Sequence, residues 1–224
     1  MKHIFVTSVT LLALGAILAH SISLHAQEPQ QAPGMACNGT YYDEQLHFSY
    51  RYPLHWFVLD EAQRDAIVER GHKPRPQQGL GVEAAHGESK TVTRYRFEAA
   101  KDRKVKSGVP SVSIMSVQVS SEAPTAARQF LTALDRETMR SFSWHQSLSL
   151  RPVEINEVQF IQERFVAAPN ANNQLFKVYI DNYAVALESH IVVFSFVASS
   201  EDEVNTFASS LQSFKKDVAT PECD

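Results

Sequence analysis

Six histidines lie beyond the first 26 residues: His47, His55, His72, His86, His145 and His190. No two stand three or four positions apart, the spacing that puts a ligand pair on one helix face. A metal centre would have to be gathered by folding. His47 and His55 flank the Pro53 bend and His72 and His86 share one loop, but solvated surface histidines are the simpler reading. A serine nucleophile on a sharp glycine turn is not written here, because no G-x-S-x-G occurs. The acidic runs Asp60–Glu61 and Glu201–Glu203 suit the positive ends of helices better than a general acid/base pair. "GLGV" at 79–82 is too short for a nucleotide-binding turn, lacking a third glycine and a preceding strand. Nothing in these residues compels an enzyme, and no cofactor is called for.

The remaining chemistry is charge. Arg94, Arg96, Lys101, Arg103, Lys104 and Lys106 fall within thirteen positions. On an extended strand Arg94 and Arg96 share a face, with Arg103 and Lys104 in the adjoining turn, so these four are the candidates for gripping an anionic partner. Glu98 and Asp102 interrupt the run, which also fits an ordinary solvated hairpin. Tyr41, Tyr42 and Trp56 could form an aromatic contact patch, although a tryptophan here suits a core. "NGT" at 38–40 is formally a glycosylation acceptor.

The first residues, MKHIFVTSVTLLALGAILAH, carry Lys2 and then an apolar run without an acid, the pattern of a secretory signal peptide. Cleavage after Ala26 is the preferred reading, with Ser23 the competing site. An uncleaved anchor is disfavoured because Thr7, Ser8 and Thr10 interrupt the run, which falls short of the roughly 20 apolar residues of a spanning helix. Beyond residue 26 the chain has 20 basic and 25 acidic residues, a formal charge of −5. That balance argues against general nucleic-acid binding. Export to the periplasm or extracellular space is expected, with no stable membrane span once the signal is removed. The two cysteines, Cys37 and Cys223, lie at opposite ends, and in an oxidising compartment they read most simply as one disulfide.

Residues 27–39 read as a disordered leader containing Cys37, and a single domain is expected over 40–224. Leu46, Phe48, Tyr50 and Tyr52 alternate as one face of a strand, Pro53 ends it, and "WFVL" resumes a short extended stretch. Asp60 and Gln63 predict a capping box opening a helix over 60–70. Residues 72–90 form a long loop punctuated by Pro and Gly. Strands are expected at 91–97 and 109–119. A helix follows over 124–142, with Ala127, Phe130, Leu131, Leu134, Thr138 and Phe142 in one stripe. Two or three strands fill 148–168 with a turn at Asn156–Glu157, and "PNANN" at 169–173 is a loop. A hairpin over 174–198 turns at Glu188–His190, and a last helix over 201–215 is capped by Ser200 and Glu203. The expected class is α+β, a central, mostly antiparallel sheet covered by helices in an α/β/α sandwich.

"YYDEQLHFSYRYPLHWFVL" and "YAVALESHIVVFSFVASSEDEVNTFASSLQSFK" resemble the opening and closing patterns of PsbP-like domains, and with the middle helix the resemblance covers about two thirds of the chain beyond the signal. The resemblance implies a sheet between helices, a fold shared with a Ran-binding nuclear-import factor family, and a non-enzymatic adaptor or assembly role. It carries no binding residues across, since the matched positions, such as Phe48, Tyr50, Pro53, Trp56 and Phe214, are core and turn positions. The chain departs from the pattern in an expanded 72–108 region and in having Asn156–Glu157 where a glycine turn is common. The expectation is an exported binding or assembly module for a protein or small-ligand partner. The alternative is a small exported hydrolase or metal-dependent enzyme whose site is assembled from the long loop.

Overall fold

Val, Ile, Phe and Tyr fill the stretches 178–187 and 190–198, residue types that suit a pleated surface packed on both sides. They form β9 (Val178–Leu187) and β10 (His190–Ala198), a hairpin in which Leu187 faces His190 across a two-residue turn. Glu188 in that turn adopts the left-handed conformation, φ 50°. The computed structural model describes residues 34–60, 63, 93–102, 110–119, 124–141, 144–168 and 177–219.

Around this hairpin lie β4 (Phe57–Val58), β5 (Thr93–Ala100), β6 (Ser111–Gln118), β7 (Trp144–Ile155) and β8 (Val158–Ala168), in a seven-stranded sheet of order β4-β5-β6-β10-β9-β8-β7 with every pairing antiparallel. β7 carries Pro152, tolerated because this strand lies at an end of the sheet. The β7–β8 turn is Asn156–Glu157, at φ 51° and 65°, the handedness that matches the twist of a two-residue hairpin. The Asn156 side chain donates to the Gln212 carbonyl at 2.8 Å and the Phe214 carbonyl at 2.9 Å. A glycine there would keep the turn and lose this tie.

Strict alternation along the central strands sorts side chains onto two faces. Val192, Phe194, Phe196 and Ala198 of β10, Tyr183, Val185 and Leu187 of β9, Phe160 of β8, and Val112 and Ile114 of β6 point to one side. Ile191, Val193, Val197, Ile180, Ala184, Ile161, Phe165 and Met115 point to the other. That second face is covered by α1 (Pro124–Ser141), through Ala127, Leu131 and Leu134 at i, i+4 and i+7. The first face is covered by α2 (Glu201–Ala208), by a 3-10 turn over Ser209–Ser213, and by a second, four-stranded sheet. The layered sandwich expected from the sequence is therefore present, with one outer layer part helix and part strand.

That second sheet corrects two expectations. Residues 34–39 are not leader: β1 (Gly34–Cys37) pairs with β2 (Thr40–Asp43) through a tight turn in which Asn38 sits at φ 49° and Gly39 at φ 77°. Asn-Gly is a strong short-range hairpin signal, so the turn was legible in the residues read above only as a glycosylation acceptor. The last helix also stops early. After Ala208 the backbone tightens into the 3-10 turn, and β11 (Lys215–Lys216) then pairs with β3 (Phe48–Arg51), completing the order β1-β2-β3-β11. Three serines within this segment explain the tightening: Ser209, Ser210 and Ser213 each donate to the carbonyl three residues earlier, competing with the α-helical ladder. Ser213 also accepts from the Arg51 N–H at 2.8 Å, locking the turn to β3.

Where these layers meet, Phe194 lies with ring centroids 5.8 Å from Phe48, 5.4 Å from Tyr50 and 5.8 Å from Phe214. All four are fully buried. The interlocked rings join the central sheet to β3 and to the C-terminal segment.

Helix starts follow the local signals. Asp60 accepts from the Gln63 N–H at 2.7 Å while Gln63 accepts from the Asp60 N–H at 3.0 Å, the reciprocal box expected there. The rest of the 60–70 helix, the 72–90 loop, the 169–173 loop, the signal segment and Cys223 lie outside the described residues. At α2, Ser200 accepts from the Glu203 N–H at 3.2 Å, but the Glu203 carboxylate takes a hydrogen bond from the Ser199 hydroxyl at 2.7 Å. That bond, with Lys101 nearby, holds the Glu203 carboxyl below its ordinary range.

Candidate functional site

Of the four basic candidates, Arg94 lies on β5 with its side chain outside the described set, as are Arg103 and Lys104. Arg96 does not belong with them. Partners along β5 run from Tyr95↔Met115 to Phe97↔Ile114, so Arg96 is an extra residue in a β-bulge. The bulge lets two successive residues, Arg96 and Phe97, both turn inward on the face that the second sheet covers. Its side chain is fully buried, with Nη1 3.3 Å from Asp43 Oδ2, Nη1 donating to Gln45 Oε1 at 3.0 Å, and Nε donating to Ser116 Oγ at 2.7 Å. Asp43 also accepts from the Tyr41 hydroxyl and from the Gln45 and Leu46 N–H groups. This is a structural ion pair that stitches the two sheets together. Tyr41, read as a possible contact aromatic, is core at 1% exposure.

A second polar cluster lies on the same face towards β7. Asp181, fully buried, accepts from Gln162 at 2.9 Å, from the Tyr183 hydroxyl at 3.1 Å and from Arg164, which also faces Glu201 of α2 at 3.6 Å. Burial and the Asp181 charge push the Tyr183 phenol up, so it stays a neutral donor. Arg151 closes the chain by donating to Gln162 at 2.9 Å.

A third row runs beneath α1. The Ser195 hydroxyl donates to Asn182 Oδ1 at 2.7 Å, and Asn182 Nδ2 donates to Glu163 Oε2 at 3.3 Å. Burial first, and the nearby Asp135 second, push the Glu163 carboxyl up to about 8 against the opposing Asn182 hydrogen bond. Asp135 Oδ1 stands 3.0 Å from His145 Nε2, at an angle that leaves neither buried atom a well-directed hydrogen bond. Burial lowers the His145 imidazole against the pull of Asp135, and the ring packs on Phe165 at 4.7 Å.

The described histidines are thus dispersed. His47 and His55 occupy left-handed turn positions at φ 49° and 67°, His145 is under α1, His190 opens β10, and His72 and His86 lie outside the described residues. Among the described residues no three His, Cys, Asp or Glu side chains converge as a metal site. Cys37 ends β1.

Among the described residues, most of the exposed large apolar side chains fall in one stretch of the chain. Leu54 is 71% exposed, Phe57 37% and Val58 41%, all within five residues at the β4 end of the sheet. Beside them Trp56 packs edge-on against Phe207 of α2 at 4.7 Å, and Lys101 Nζ sits 6.0 Å from the Phe207 ring and 3.4 Å from Glu203. Composition could not reveal this patch, because "WFVL" reads equally well as buried strand. Leu148, 44% exposed at the far edge, is the extra residue of a bulge in β7.

No protein-family pattern matches the sequence, and no curated protein sequence matches it. Solved structures do resemble it. Cyanobacterial PsbP from Synechocystis sp. PCC 6803 is 10% identical with a TM-score of 0.48, over 86% of this chain and 97% of that one. The Ran-binding protein Mog1p of Saccharomyces cerevisiae is 11% identical with a TM-score of 0.44, over 82% and 97%. LpqN of Mycobacterium tuberculosis, described as involved in cell envelope biogenesis, is 11% identical with a TM-score of 0.38, over 74% and 78%. The PsbP-like resemblance read from the opening and closing stretches is therefore met among solved structures, as a likeness of fold and not of sites.

Proposed function

We propose that this chain is an exported binding module that docks a partner protein through the apolar surface at Leu54, Phe57 and Val58, flanked by Trp56, Phe207 and Lys101. The observation that carries this reading is the concentration there of three of the four strongly exposed large apolar side chains among the described residues. Exposed apolar groups gathered beside charged neighbours mark surfaces that associate. The ion pairs Arg96–Asp43 and Arg164–Asp181 lie inside the fold and support the scaffold instead. Arg94, Arg103 and Lys104 form a second, electrostatic contact in this proposal, and a Cys37–Cys223 disulfide closes the domain. Export removes residues 1–26.

The test uses the chain from residue 27 onward as bait against the native exported fraction. Beside it run Leu54→Asp with Val58→Asp, and Arg94→Ser with Arg103→Ser and Lys104→Ser. A partner retained by the parent and lost by the first variant, with unchanged unfolding midpoint, supports the surface. Retention by all three places the contact elsewhere, and capture of nothing by the parent removes the binding-module reading. Saturating zinc that raises the unfolding midpoint favours the metal-dependent alternative, since a ligand bound only by the folded state must stabilise it.

A further inference from the structure

Helix α1 is held to the sheet by an apolar stripe, Ala127, Leu131 and Leu134, and at one point by polar groups. Asp135 follows Leu131 by four positions and so faces the same way. His145 of β7 lies 3.0 Å from it, and on the sheet face that α1 covers Glu163 of β8, 2% exposed, lines up across the strands with Asn182 of β9 and Ser195 of β10. The described arginines of α1, Arg128 and Arg136, are exposed. Among the described residues, the charge that acts on Glu163 is that of Asp135, of the same sign.

We infer that Glu163 is a pH-operated latch for α1: protonated, it lies neutral under the helix, and as the proton leaves, its charge beside Asp135 releases α1 from the sheet. In the released state the carboxyl meets water and regains its ordinary value of 4.5, against about 8 when covered. Between those values the covered state holds more protons than the released one, so rising pH favours release, and the dependence ends near pH 8 where both states are ionised. His145 acts oppositely. Its covered value lies below 6.5, so its contribution favours the covered state as pH rises towards 6.5 and then stops. Of these two groups, only Glu163 contributes in the interval from 6.5 to 8.

The experiment is native-state amide exchange of the full chain, corrected for the intrinsic pH dependence of exchange. Leu131 and Leu134 amides are expected to lose protection about tenfold per pH unit from 6.5 to 8 and then level off. Glu163→Gln, which keeps an acceptor for Asn182 and cannot ionise, is expected to flatten that slope. Asp135→Asn, by removing the repelling charge, is expected to move the levelling point to lower pH. Equal slopes in parent and Glu163→Gln overturn the latch, as does the same slope at Val193 and Phe194, which would mean global unfolding. Should Glu163→Gln fail to fold, an unmoved levelling point in Asp135→Asn overturns it equally.

Discussion

Asp43 and Arg96 show what a buried pair does when each partner has several ligands. The desolvation of two ions is offset only because Tyr41, Gln45, Ser116 and two backbone N–H groups surround them. Removing one partner leaves a charge uncompensated in the interior. Asp43→Ala is expected to lower stability by about 3–5 kcal/mol, measured by urea unfolding, and Arg96→Met added to it to recover part of that loss. A double variant as unstable as the two single losses combined would show that the pair is not coupled. Phe194 is the corresponding apolar residue. Its truncation to Ala is expected to cost about 3–5 kcal/mol, because the rings of Phe48, Tyr50, Phe160 and Phe214 lose their partner and the strands around it cannot collapse.

At the scale of elements, the C-terminal segment is held by side-chain hydrogen bonds that a propensity count does not include. Asn156 binds two carbonyls of the 3-10 region from the tip of another hairpin. Asn156→Gly keeps the left-handed turn and loses both bonds, and is expected to destabilise by about 1–2 kcal/mol in thermal or urea unfolding. No loss would show that water replaces the amide. Ser200→Ala at the α2 cap is expected to cost about 1 kcal/mol by the same measurement. Elements with strong local signals matched their sequence reading closely: the β9–β10 hairpin, the Asn156–Glu157 turn, the start of α2, and α1. Those that failed had competing signals. β1 was hidden by the Gln- and Pro-rich residues before it, and the last helix by serines whose hydroxyls compete for carbonyls.

At the scale of the molecule, the second sheet places β1 and β11 in one four-stranded unit, so the two ends of the described chain belong to one layer. On the chain-entropy model the proposed Cys37–Cys223 crosslink closes a loop worth about 5 kcal/mol. The expectation is that the exported chain shows no reactive thiol until reduced, and that reduction lowers the unfolding midpoint. Two reactive thiols in the native oxidised preparation would end the proposal. No helix among the described residues is long and apolar enough to cross a membrane.

The sequence alone determined the period of the main strands, the caps, the hairpin turns and the opposed apolar faces, because each depends on neighbours within a few residues. Tertiary structure alone decided which polar residues are inside. Arg96 is buried because the second sheet lies over its face and brings Asp43 and Gln45 to it, and Glu163, Asn182 and Ser195 form a row because three strands pair in one register. It also decided that "WFVL" ends at the margin of the sheet, where Phe57 and Val58 face solvent. Each of these outcomes depends on contacts between residues far apart in the chain, a distance that local pattern does not record.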